Sequence, residues 1–140
     1  MIVLDTNVVS ELMRATPTPA VLRWVDAQDP ASLWIASVTV QELYYGIARL
    51  PAGKRQSRIS ELVTSMLDED FAGQVAAYDG EAAAIAGQLL ARCEKTGRRM
   101  PLADAQIAAI CLAHQATLAT RDSRDFDSAG LDLINPWDEG

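Results

Sequence analysis

A short apolar run broken by a polar corner constrains this chain more than any other feature. Ile2, Val3 and Leu4 have the pattern of a strand buried on both faces. The run stops at Asp5-Thr6-Asn7, and apolar residues resume with helical spacing at Val8, Val9, Leu12 and Met13. The order is therefore strand, polar corner, helix. A parallel strand delivers whatever follows it to the carboxyl edge of a sheet, where α/β proteins keep their sites. Asp5 would stand at that edge. Asp and Thr are also good helix caps, so Asp5 on its own reads as a cap or as a site residue.

The same alternation continues along the chain. Thr16 to Pro19 marks a break, with Pro19 suited to the first turn of a short helix over Ala20 to Ala27. Ser32 to Ala36 reads as a second strand, and Ser37 opens a helix to about Leu50. After Pro51-Ala52-Gly53, a helix carries Ile59, Leu62, Val63, Met66 and Leu67, with a basic beginning and an acidic end that oppose its dipole. Phe71 to Tyr78 is a weak strand candidate. Asp79-Gly80-Glu81 starts a helix that ends before Gly97, and Leu102 starts another that ends near Gln115. Ala116 to Thr120 is a strand, Leu131 to Ile134 a last edge strand, and Asn135 begins a polar tail. No repeat or linker interrupts the pattern, so residues 1–140 read as a single domain.

Composition narrows the function. A content of 49% hydrophobic and 22% charged residues fits a folded globular chain rather than a disordered one. No basic-then-apolar leader is present, and Ala105 to Thr120, the longest stretch without Asp, Glu, Lys or Arg, is too short to span a membrane. A cytoplasmic location is expected. Cys93 and Cys111 lie among apolar neighbours at helical spacing, which fits buried thiols better than a disulfide or metal site. The one histidine, His114, leaves no room for a His-rich metal centre or a His-based triad. A net charge of −7 argues against binding nucleic acid through bulk positive charge. The basic residues cluster at Lys54, Arg55 and Arg58, at Arg92, Lys95, Arg98 and Arg99, and at Arg121 and Arg124; solvated helix faces account for most such groups.

Four carboxylates occupy equivalent places. Asp5 follows the first strand and Asp122 follows the Ala116–Thr120 strand, while Glu42 and Asp104 lie in the first turns of helices. Each has a structural explanation: Thr39 and Glu42 match a capping box, a helix dipole favours Asp104, and Asp122 suits a turn. If the strands are parallel, however, all four converge at one edge. Clustered carboxylates raise one another's pKa unless a positive charge lies between them. A nearly histidine-free oxygen set suits Mg²⁺ or Mn²⁺, and such ions support in-line displacement at a phosphodiester.

The N-terminal strand-Asp-Thr-Asn, Ser37-x-x-Val40-x-Glu42-Leu43, Leu102-x-Asp104-x-x-Ile107-Ala108 and Leu118-Ala119-Thr120-Arg121-Asp122-x-x-Asp125-Phe126 together resemble a PIN domain. More narrowly, they resemble the VapC- and FitB-type toxins of bacterial toxin–antitoxin pairs. Relatives often carry Thr where this chain has Val40, with Thr39 beside it. The resemblance implies an α/β fold of three layers, a small, mainly parallel sheet flanked by helices. It implies an Mg²⁺- or Mn²⁺-dependent ribonuclease in which Asp5, Glu42, Asp104 and Asp122 are metal ligands or orient the attacking water. Thr6, Asn7 and Thr120 match polar positions around that centre, and Asp125 matches an auxiliary acid. It further implies a homodimer inhibited by a small VapB- or FitA-like antitoxin, with DNA contacted only through that antitoxin. A haloacid-dehalogenase-like phosphatase also begins strand-Asp but needs a second Asp where this chain has Asn7. A phosphoacceptor receiver domain needs a late lysine, and Lys95 is the last. A catalytically idle binding module of the same fold is the remaining alternative.

Overall fold

The protein's structure, a computed structural model, describes residues 1–138. Its centre is strand β1, Ile2–Leu4. Helices α1 (Thr6–Leu12) and α2 (Pro19–Asp26) precede β2 (Leu33–Ala36), and α3 (Ser37–Ala48) and α4 (Lys54–Ser65) follow it. Then come β3 (Val75–Ala76), α5 (Gly80–Lys95), α6 (Leu102–His114), β4 (Thr117–Ala119), α7 (Ser123–Phe126) and β5 (Leu133–Ile134). The five strands run in the order β3-β2-β1-β4-β5, and every pairing is parallel. In register, Leu4 lies between Ile35 and Ala119. The strand order turns back between β1 and β4, the switch point where open parallel sheets bind ligands.

Period-two alternation sorts the strand residues onto two faces. Val3, Ala36 and Leu118 point into a cluster with α5, α6 and Phe126. Leu4, Ile35 and Ala119 point the other way, into a cluster with Val8, Val21, Leu43 and Val63 from α1 to α4. Each fully buried side chain of Val or Leu size contributes about 1.5–3 kcal/mol on leaving water. α6 is buried on nearly every side: Ala105, Ile107, Ala108, Ala109, Ile110 and Cys111 are all buried. A helix that is apolar all round belongs inside, and its many alanines let α5 and the sheet approach from both sides. Among the described residues no helix is long and apolar enough to cross a membrane.

Local chemistry ends these elements largely as the sequence implies. Asp79 caps α5, its Oδ1 accepting from the Ala82 amide at 3.0 Å. Gly97 takes φ 73° just past α5, and the Arg98 amide returns to the Cys93 carbonyl at 3.0 Å, closing the helix. Four expectations need correction. Thr39 and Glu42 form no capping box, because α3 begins two residues before Thr39, after Ala36, and has no side-chain cap. The strand expected over Phe71 to Tyr78 shrinks to Val75–Ala76, since Met66–Asp70 forms a wide helical turn that consumes the preceding chain. That turn also takes Asp68, Glu69 and Asp70 out of α4, moving most of the acidic end beyond the helix. The tail is not simply polar either: Pro136 is buried and Trp137 packs on the second cluster.

One buried acid ties α1 to α2. Glu11 is only 6% exposed; its Oε2 accepts from the Thr18 amide at 3.0 Å and pairs with Arg14 at 3.1 Å. The Thr18 amide, ahead of Arg14, holds this carboxyl below its ordinary value of 4.5. A lowered carboxyl pKa stabilises the fold above about 4.5 and stops doing so as the pH falls through the folded value. Glu11→Gln should therefore lower the Tm at neutral pH, and the gap from the parent should close in acid. Melting curves across that range check it; a gap independent of pH would remove the charge from the explanation.

Candidate active site

The switch point between β1 and β4 sets Asp5 and Thr120 side by side. The Asp5 amide donates to the Ala119 carbonyl at 2.9 Å, so the ladder carries Asp5 to the end of the sheet. Asp5 is 6% exposed and fully held. Its Oδ1 accepts from the Thr6 amide at 2.8 Å, and its Oδ2 accepts from the Thr120 hydroxyl at 2.7 Å. It is thus a helix cap and a member of the acid set at once. Thr120 Oγ1 in turn accepts from the Asp122 amide at 3.1 Å, which fixes the corner after β4.

Asn7 joins the two sides. Its Nδ2 lies 3.3 Å from Asp5 Oδ2, 3.1 Å from Asp122 Oδ2 and 3.4 Å from Thr120 Oγ1, and its Oδ1 accepts from the Arg121 amide at 3.4 Å. An amide can donate to two carboxylates, whereas an Asp at this place could only repel them. From α3, Glu42 Oε1 accepts from the Thr6 hydroxyl at 2.7 Å. Thr6 has one hydroxyl proton and spends it on Glu42, so the Thr39 hydroxyl, 3.0 Å away, donates to Thr6. Thr39, fully buried, is the residue that the capping-box reading misassigned; its role becomes visible only once α1 and α3 are packed together.

Asp104 stands in the first turn of α6, half-buried, and accepts no hydrogen bond among the described residues. Its pKa is pushed up to about 6, first by loss of solvent and then by the charges of Asp5, Asp125, Glu42 and Asp122. Asp5 is also raised, by burial above all, against the lowering from Thr120 and Thr6, with Glu42 and Asp122 adding to the rise. The leading causes of both shifts are burial and neighbouring carboxylates, opposed at Asp5 by hydrogen bonds. The structure thus brings Asp5, Glu42, Asp104 and Asp122 into one electrostatic field, with Asp125 at its margin. Cys111 lies buried beneath it, its thiol raised to about 12 by burial and by Asp5, which makes it inert.

The donors are all oxygen, the set preferred by Mg²⁺ and Mn²⁺. Among the described residues no three His, Cys, Asp or Glu side chains form a ready-made cage. The arrangement fits a hard ion that keeps several of its waters and reaches part of the set through them. Beside the acids, a groove of about 1580 Å³ runs between α1, α2, α3 and α4. It has apolar walls including Met13, Ile59 and Leu62; Arg55 and Arg58 also line it, and of the four acids only Glu42 does.

Arg121 is the cation nearest to these acids in sequence, yet its Cζ sits 5.0 Å over the Trp137 ring. Such a contact contributes about 0.5–1 kcal/mol when exposed, comparable to an exposed ion pair at about 0–1 kcal/mol. The sequence reading did not connect these residues; the Asn135-Pro136 turn was the available sign that the tail folds back.

The chain belongs to the PIN domain family, whose model matches residues 2–131. It is 44% identical over 138 residues to a VapC ribonuclease, Y4jK, of Sinorhizobium fredii, covering 99% of both chains. It is 36% identical over 137 residues to the toxin FitB of Neisseria gonorrhoeae, covering 98% of this chain and 99% of that one. A solved structure of FitAB bound to a DNA fragment contains a chain that superposes with a TM-score of 0.91 at 35% identity, over 98% of this chain and 96% of that one.

Asp104 supplies a test of the cluster that needs no substrate. A carboxyl raised to about 6 makes the metal-free fold lose stability as the pH climbs from about 3.8 to about 6. In EDTA, Asp104→Asn should melt at or above the parent at pH 7, with the difference vanishing near pH 4. Added Mn²⁺ should then raise its Tm less than it raises the parent's. A variant that melts lower in EDTA and gains fully from Mn²⁺ would return Asp104 to a helix-end role.

Proposed function

We propose that this protein is a divalent-metal-dependent endoribonuclease, the toxin of a toxin–antitoxin pair. The observation that carries this is the acid set at the β1/β4 switch point, with Asp104 raised to about 6 by burial and by the charges of Asp5, Asp125, Glu42 and Asp122. Asp5, Glu42, Asp104 and Asp122 would hold Mg²⁺ or Mn²⁺. Such an ion, when bound, neutralises the phosphodiester charge and activates water for in-line displacement.

The chain's own groups divide the remaining work. Thr120 and the Thr6 amide hold Asp5, and the Thr39–Thr6 relay holds Glu42. Asn7 ties Asp122 to Asp5. Asp104, free of hydrogen bonds, has lone pairs available to orient a water against the phosphorus; Asp125 is the auxiliary acid at the margin. The water oxygen gives up one proton to solvent and bonds to phosphorus, the bond to the leaving oxygen breaks, and that oxygen takes one proton from solvent. The relatives' names, VapC ribonuclease and toxin FitB, support RNA hydrolysis and toxicity.

The partner reading follows from the groove. Its apolar walls suit an apolar segment of an antitoxin, and a basic residue at the end of that segment would meet Glu42. The structure of FitAB bound to a DNA fragment supports a toxin–antitoxin complex that binds DNA, and we assign that contact to the antitoxin. We place the toxin as a homodimer in that complex.

Purified protein should cut mixed RNA with Mg²⁺ or Mn²⁺ and stop in EDTA. Asp5→Asn or Asp104→Asn should cost about 100-fold or more, since even groups that only support a metal ligand cost about 10–100-fold. Full cleavage in EDTA would exclude the mechanism, and no cleavage under any metal would leave an idle binding module of the same fold. A small neighbouring reading frame should encode a protein that copurifies with this one and blocks cleavage. Harmless expression of the chain alone would count against the toxin role.

A further inference from the structure

Arg121 stands between two site residues, the buried Thr120 and the acid Asp122. A flexible cation so close to several like-charged carboxylates should swing onto them, because that is where the potential is most negative. It does not. No ion pair joins Arg121 to an acid among the described residues. Its guanidinium lies over the Trp137 ring instead, while the side chain stays exposed.

The ring is a built platform. β5 pairs with β4, Pro136 is buried, and the Trp137 amide donates to Asn135 Oδ1 at 3.0 Å. Trp137 also packs on the cluster that contains Leu4 and Ala119, so its position is fixed by the same strands that carry Asp5 and Thr120. Ring and acids therefore share one frame. A guanidinium held over an indole face still has N–H groups to offer an anion. In a chain of net charge −7, a cation at the rim of the acid cluster is what a phosphodiester strand would need to approach it.

We propose that Trp137 is a positioning residue: it holds Arg121 out of the carboxylate cluster and presents the guanidinium to a phosphate of single-stranded RNA beside the scissile one. The proposal rests on the ribonuclease reading and adds two separable consequences. With the stack intact, the acids are left for a metal ion. Without it, Arg121 falls onto Asp122 and Asp5 and competes with that ion.

Trp137→Leu keeps an apolar side chain under the tail but removes the π face. In thermal melts it should need several-fold more Mn²⁺ than the parent for half of the metal-induced rise in Tm. Adding Arg121→Ala to Trp137→Leu should restore the parent's Mn²⁺ demand, and Trp137→Phe should keep it. Packing of the tail alone would not be rescued by deleting an arginine, so an unrescued double variant overturns the proposal. So does Trp137→Leu with unchanged Mn²⁺ demand. The RNA arm uses a labelled 12-nucleotide single-stranded RNA in EDTA, where no cleavage is required. Arg121→Ala should reduce the slope of log K against log salt by about 0.7, one phosphate contact. Lys54→Ala removes the same charge at the start of α4, beyond the far end of α3, and should leave the slope unchanged. Equal losses in both variants would mean bulk charge and overturn the proposal. If these binding effects hold but no metal supports RNA cleavage, the ribonuclease reading fails and the placement of Arg121 stands.

Discussion

The hydrogen bond from Thr120 Oγ1 to Asp5 Oδ2, at 2.7 Å, is the contact on which the site depends. It joins the first residue beyond β1 to the first residue beyond β4, 115 positions later. It forms only because the two strands are parallel neighbours in register. A buried carboxylate is costly unless hydrogen-bonded. Thr120, the Thr6 amide and Asn7 supply the bonds that let Asp5 remain there. The same donors locate their own neighbours: Thr6 reaches Glu42, Asn7 reaches Asp122, and Thr120 accepts from the Asp122 amide. One buried acid thereby orders three elements.

The order achieved is geometric and not electrostatic. Hydrogen bonds from hydroxyls and amides place Asp5, Glu42 and Asp122 without cancelling their charge; Asp5 and Asp104 are raised by burial first and by neighbouring carboxylates after it. A fold optimised for stability alone would insert a lysine or arginine here. The protein instead surrounds its acids with neutral donors and keeps the adjacent arginine stacked on an indole. Local rules broken in this manner, with the surrounding fold consistent, are the mark of a site under functional constraint. The backing is correspondingly rigid: α6 is packed on nearly every side with small residues, so Asp104 at its first turn has a firm base.

Much of this was legible in the sequence because the governing periods are local. The Ile2–Leu4 run, the caps at Asp5 and Asp79, and Gly97 past the end of α5 are each decided within a few residues, and each stands in the structure. The convergence of the acids needed one further assumption, parallel strands, which the alternation of short strands with helices supported. What failed was whatever depends on contacts distant in sequence. Thr39 looks like a cap until α1 packs against α3 and turns its hydroxyl toward Thr6. The Met66–Asp70 turn looks like more helix, because nothing in its composition marks the change of hydrogen-bonding pattern. The tail looks polar because its two anchors, the buried Pro136 and the partly buried Trp137, are outnumbered by Asn, Asp and Glu.

The two faces of the sheet differ in a way that bears on control. On the α5–α6 face the helices close over the strands and leave a continuous core. On the α1–α4 face the helices splay, and the groove between them leaves Leu62 substantially exposed. That groove ends at Thr6 and Glu42, the one acid it shares with the cluster. Glu42 is held there by a hydroxyl relay and by no backbone amide, so it is the acid whose setting depends most on how α1 and α3 sit together. The groove is lined by residues of both helices, Glu42 among them. On the reading proposed above, an occupant would reach the acids through Glu42 without entering the β1/β4 crevice. The two faces thus divide the acids: Glu42 stands beside the groove, Asp104 on the closely packed α6, and Asp5 is held from both sides by Thr6 and Thr120.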